Sequence, residues 1–91
     1  MKISESDIVV SVNGRDSGKM FFVIEVDEEY VLLADGKRRR VDKPKRKKIK
    51  HVQLVSASGG RTAEKIRIGE KITNSDIRRA LAAIAAGNSE V

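Results

Sequence analysis

The chain has 91 residues, a formal net charge of +6, 35% charged side chains and no cysteine. Such a length supports one core, because a chain near this size buries only about two-thirds of its unfolded surface. Without cysteine, disulfides and thiolate metal sites are excluded, and the expected compartment is a reducing, cytoplasmic one. The apolar stretches fall far short of the ~20 residues that span a bilayer. The opening residues lack the apolar run of a signal peptide, so neither membrane insertion nor export is expected. The net charge hides a polarity. Residues 1–36 hold three bases and eight acids, a net of −5, whereas residues 37–51 hold ten bases and one acid, a net of +9.

In chain order, Ile8-Val9-Val10-Ser11-Val12 is β-branched and ends at Asn13-Gly14, which predicts a strand over 8–12 with Ile8, Val10 and Val12 on its inner face. A loop with two glycines follows, Gly14-Arg15-Asp16-Ser17-Gly18-Lys19. Glycine there supplies a left-handed backbone or a close approach. Residues 20–27 predict a second strand, apolar on both faces, as suits a long bent strand serving both halves of a barrel. Asp27-Glu28-Glu29 makes a polar turn and residues 30–35 return antiparallel. Asp35-Gly36 then carries a strong hairpin signal into a short charged strand over 38–42, with Val41 as its apolar anchor and Pro44 as its end. A last strand over 50–55 has Val52 and Leu54 inward.

Five short antiparallel strands predict a mainly β fold, a small SH3-like barrel over residues 1–55. Residues 56–91 are expected to hold a flexible connector, 56–62, and one short C-terminal α-helix over 74–86. The segment 66–71 is too short to assign. Thr73 and Asp76 stand in capping-box positions, Ile72 and Ile77 can staple, and Gly87 can stop the helix. Ile77, Ala80, Leu81 and Ile84 form its apolar stripe. A helix this short is marginal alone, so it docks or frays. Its narrow stripe predicts that truncation after Lys71 leaves the barrel folded.

The chemistry concentrates in residues 37–50, where Lys37, Arg38, Arg39, Arg40, Lys43, Lys45, Arg46, Lys47, Lys48 and Lys50 face one acid, Asp42. Like charges at this density repel unless an anion relieves them, and phosphates are the natural partner. A solvated loop is the plainer alternative. An anionic membrane would meet the same charge, but no basic amphipathic helix is present to lie on it. The loop 14–19 is not a nucleotide-binding P-loop, because Met20 and a strand follow its lysine. Arg15 and Lys19 can still reach phosphates. His51 is the only histidine and cannot build a metal site or a triad alone. It faces solvent or stacks on a base. Phe21 and Phe22 fall in the most apolar segment and are expected in the core, which leaves Tyr30 as the one aromatic candidate for stacking. Recognition is therefore expected through charge. Arg78 and Arg79 on the helix flank can extend the basic surface.

Residues 9–26, Val-Val-Ser-Val-Asn-Gly-Arg-Asp-Ser-Gly-Lys-Met-Phe-Phe-Val-Ile-Glu-Val, resemble the KOW motif of ribosomal and transcription-elongation proteins. With Tyr30-Val31-Leu32-Leu33-Ala34-Asp35-Gly36 after them, the closer likeness is to the archaeal and eukaryotic large-subunit ribosomal protein family fourteen-e and the small bacterial KOW-domain proteins grouped with it. The likeness covers residues 8–54. It implies an SH3-like barrel that binds ribosomal RNA through its loops, with Gly18 as the glycine of the first connecting loop. Many KOW motifs carry another glycine three residues later; here that position is Phe21, as in the fourteen-e type. The motif does not reach the helix.

These readings converge on a non-enzymatic RNA-binding protein, ribosome-associated, that contacts structured or ribosomal RNA through a basic loop surface. The expected contacts are Arg15, Lys19, the ten bases of 37–50 and His51, with Gly14, Gly18 and Gly36 shaping the loops. No cofactor, metal, membrane or small-molecule substrate is expected. The competing reading is an SH3-like protein-interaction module that binds an acidic partner.

Overall fold

The computed structural model describes residues 3–57, 64–65 and 68–87. Beyond Ala57, the expected connector lies outside the described residues, as do Ile66 and Arg67. Five antiparallel strands form one sheet in the order β4-β3-β2-β1-β5. They are β1 (Ile8–Ser11), β2 (Met20–Val26), β3 (Tyr30–Ala34), β4 (Lys45–Lys48) and β5 (Val52–Ser56). A 3-10 turn, Ile49–His51, carries the chain from β4 to β5, and the helix α1 (Asn74–Ala85) comes last. The fold is mainly β and barrel-like: β3 and β5, far apart in the sheet order, line the same apolar cluster.

That cluster fills the concave side with Ile3, Val9, Phe21, Val23, Val31 and Leu33, and Val26, Ile49, Val52 and Leu54 pack on it. A second cluster on the other side of the sheet joins Ile8, Phe22 and Ala34 to Ile77 of α1, flanked by Met20, Ile24, Val41, Ile72, Ala80, Leu81 and Ile84. Phe21, Phe22, Leu33 and Ile77 are fully buried, each contributing about 1.5–3 kcal/mol by burial. The two-sided apolarity of β2 therefore has a different cause from a strand shared between barrel halves. One face lines the barrel interior and the other lies under the helix.

A bulge reconciles this with the charge pattern of β2. Pairing with β3 shifts between Val23 and Glu25, so Ile24 is an extra residue. Strict alternation would turn Glu25 inward behind Phe21 and Val23. The inserted residue instead leaves Glu25 exposed and returns Val26 to the concave cluster.

Three expectations are corrected. Val9, not Val10 or Val12, fills the concave side of β1; Ile8 faces the helix and Val12 is half exposed. No strand forms over 38–42. The Asp35 carboxylate accepts the N–H groups of Lys37 and Arg39 at 2.9 Å each, and Arg39 O accepts from Asp35 and Gly36. With these backbone groups engaged locally, no ladder is available to the segment. Asp35-Gly36 thus opens a long loop in place of a two-residue hairpin. The fourth strand begins after Pro44, which lacks an N–H to donate and suits the position before a strand. The last strand likewise starts two residues later than expected, at Val52, because Ile49–His51 makes the corner.

The helix follows its sequence signals. Thr73 Oγ1 accepts from Asp76 N at 3.1 Å and Asp76 Oδ2 accepts from Thr73 N at 3.0 Å, closing the capping box. Gly87, at φ 79°, ends the helix. Asp76 is buried and ion-paired to Lys65 at 2.9 Å and to Arg79 at 2.6 Å. Burial pushes its carboxyl pKa up, but the Lys65 and Thr73 hydrogen bonds outweigh burial and hold it at about 2. A carboxyl held below its unfolded value stabilises the fold above the unfolded pKa, and that contribution is lost as pH falls through the folded one. The wild type is expected to lose about 2 kcal/mol between pH ~4 and ~2 from this group. Urea denaturation across that range should show this loss, and Asp76→Asn should lack it.

Candidate nucleic-acid interface

The ladder directions place the basic residues. In an antiparallel meander the β1–β2 and β3–β4 connections leave at the same end, and the β2–β3 turn leaves at the other. Arg15 and Lys19 therefore share an end with Lys37, Arg38, Arg39, Arg40 and Lys43, while Asp27, Glu28 and Glu29 occupy the opposite end. All five bases of the β3–β4 loop are exposed. The separation is partial, since Lys48 stands opposite Tyr30 and Ile49 N donates to Glu29 O at the acidic end.

This loop is held by α1. Asn74 Oδ1 accepts from Val41 N at 2.8 Å, and Arg78 Nη1 donates to Gly36 O at 2.6 Å. Gly36 has φ +79°, and a Cβ there would stand 2.6 Å from Asn74 O and 2.9 Å from Arg78 Cγ. Only glycine allows the approach. Asn74 and Arg78 are thus positioning residues for the basic loop. The sequence carried no sign of this role, since the contacts join positions 33 and 42 residues apart. Arg79 pairs with Asp76.

The β1–β2 loop turns at Gly18, where φ is +87° and the N–H donates to Ser11 O at 2.8 Å. Two members of the basic run hold this loop. Lys45 Nζ donates to Asp16 Oδ2, and Lys47 Nζ donates to Asn13 O at 3.0 Å. The Lys45 hydrogen bond, opposed by burial and joined by the charges of Lys45, Lys19 and Lys47, lowers the Asp16 pKa. Lys45 and Lys47 are half buried and stand opposite Leu33 and Val31, so both reach inward across the gap between β4 and the loop. They brace the loop against β4 with side chains where no backbone ladder runs. Lys45→Ala is expected to cost about 1 kcal/mol and to speed hydrogen exchange at the Gly18 and Lys19 amides.

Their alternates on β4 face the other way. Arg46 and Lys48 are exposed, opposite Leu32 and Tyr30, and the Arg46 guanidinium lies 3.6 Å above the Tyr30 ring centroid. Lys50 is exposed and His51 half buried in the 3-10 corner. That corner bridges the two ends: Ile49 N donates to Glu29 O, and Val12 N donates to His51 O. Beside the basic loop, Ile24, Val41, Asp42, Lys71 and Ile72 line a shallow, mostly apolar recess of about 290 Å³. Among the described residues no group of His, Asp and Glu is arranged to hold a metal, and no helix is long and apolar enough to cross a membrane.

The fold and this surface define a class, a small five-stranded antiparallel sheet, a four-stranded meander with β5 crossing to pair with β1, whose docked helix presents a basic loop. Neither a scan against protein-family models nor a search of curated proteins returns a match to this chain.

Proposed function

We propose that this chain is a non-enzymatic RNA-binding module of the KOW type, cytoplasmic and ribosome-associated, that grips structured RNA, ribosomal RNA in the first place, by its phosphate backbone. The observation that carries the reading is the gathering of two basic loops at one end of the sheet, with the acidic turn at the other. A surface so polarised orients the molecule toward a polyanion before contact and neutralises phosphates on contact. The contacting set is Arg15, Lys19, Lys37, Arg38, Arg39, Arg40, Lys43, Arg46, Lys48 and Lys50, with His51 beside them. Lys45 and Lys47 leave it, because they hold the protein together. Titration of the full chain with a structured RNA at several salt concentrations tests the proposal. The expected result is a log K that falls linearly with log salt, by roughly 0.7 to 0.9 per phosphate contact. No affinity at ~0.15 M salt, with capture of an acidic protein in its place, would sink the RNA reading in favour of a protein-interaction module.

A further inference from the structure

Among the described residues Arg46 is the base of the run that lies over an aromatic ring. Among the described residues no carboxylate pairs with it, and its guanidinium lies on the exposed side of β4 against Tyr30, 3.6 Å from the ring centroid. At that separation the guanidinium carbon is in van der Waals contact with the ring face, a cation–π contact. Tyr30 covers one side of the guanidinium, and Arg46 as a whole remains exposed. Leu32 stands opposite Arg46 in the ladder and Lys48 opposite Tyr30, so an apolar floor and a second cation flank the stack. The stack also sits between the basic loops and the acidic turn, because Tyr30 immediately follows Asp27-Glu28-Glu29. A neutral planar group is favoured there, because guanidinium planes and aromatic rings stack on the π-face of any base.

We propose that the exposed side of Arg46 is a stacking site for one unpaired nucleobase, so that the ligand is an RNA with a bulged or looped-out nucleotide and not a uniform duplex. The proposal rests on the RNA reading above and names the substrate class of that surface. Lys48 holds a phosphate flanking the extruded base, and the loop cations hold the adjoining stem. Tyr30 holds the guanidinium in place before the base arrives.

The chain contains one tyrosine and no tryptophan, so its intrinsic emission reports Tyr30 alone. The test compares a fully paired RNA stem with the same stem bearing a single-nucleotide bulge, 2-aminopurine standing at the bulge. The wild-type chain is expected to prefer the bulged stem by roughly 5- to 150-fold, the range for one stacked base, with Tyr30 emission and 2-aminopurine emission both changing on binding. Arg46→Lys keeps the charge and removes the plane, so it should weaken binding to the bulged stem far more than to the paired one and abolish the preference between them. Equal binding of both stems by the wild type would overturn the stacking site and leave the RNA reading standing. A loss on Arg46→Lys that is the same for both stems would also overturn it, making Arg46 a phosphate contact only. No binding of either stem at ~0.15 M salt would overturn both.

Discussion

Removing residues 72–91 is expected to unfold the sheet, the reverse of what the narrow apolar stripe of the helix predicts from sequence. Ile77 is fully buried against Ile8, Phe22 and Ala34, and truncation strips Ile72, Ile77, Ala80, Leu81 and Ile84 from that cluster together. Re-exposing Ile8 and Phe22 and losing Ile77 forfeits on the order of 5–9 kcal/mol at 1.5–3 kcal/mol per large side chain. That is comparable to the whole stability of a domain, about 5–15 kcal/mol. The single substitution Ile77→Ala isolates the effect without deleting the helix. It should lower the unfolding free energy by about 2–5 kcal/mol, read from the urea midpoint at unchanged slope. A truncated chain that kept its β-sheet circular dichroism and a cooperative transition would show that the helix only decorates the sheet.

Replacing Arg38, Arg39 and Arg40 together by alanine is expected to have the largest effect on RNA. All three are exposed, and the loop around them is shaped by backbone groups, by Asp35 and by the Asn74 and Arg78 contacts, not by their side chains. The fold should therefore survive, with stability unchanged or raised slightly by relief of self-repulsion. Each phosphate contact carries about an eightfold change in affinity between 1 M and 0.1 M salt, so three contacts are worth roughly 500-fold at 0.1 M. The slope of log K against log salt should shrink in magnitude by about 2 to 3. Lys45→Ala and Lys47→Ala provide the contrast: both remove a charge from the same run, yet they should loosen the β1–β2 loop and leave the slope nearly intact. If all five substitutions flattened the slope equally, the division of the run into inward lysines and outward arginines would be wrong.

The same division marks how far the sequence carried. Strands whose residues are β-branched and bounded by turn signals were legible, as were the capping box, the helix stripe and the burial of Phe21 and Phe22. Each of these is specified within a few residues of itself. The charged segment was misplaced because its pattern holds only Val41 as an apolar anchor, and a local network built on Asp35 took the backbone groups a strand would have needed.

Four of the five strands, the helix and the basic run follow from neighbouring residues, because propensity, capping and charge density are local properties. Tertiary structure alone decided which bases are available. Alternation along β4 sends Lys45 and Lys47 toward Asp16 and Asn13 and sends Arg46 onto Tyr30. A one-residue bulge at Ile24 sets which side of β2 carries Glu25. A glycine that admits Asn74 and Arg78 lets the helix hold the loop. These contacts link residues far apart in the chain, and the free energy that selects them comes from burying both faces of the sheet at once.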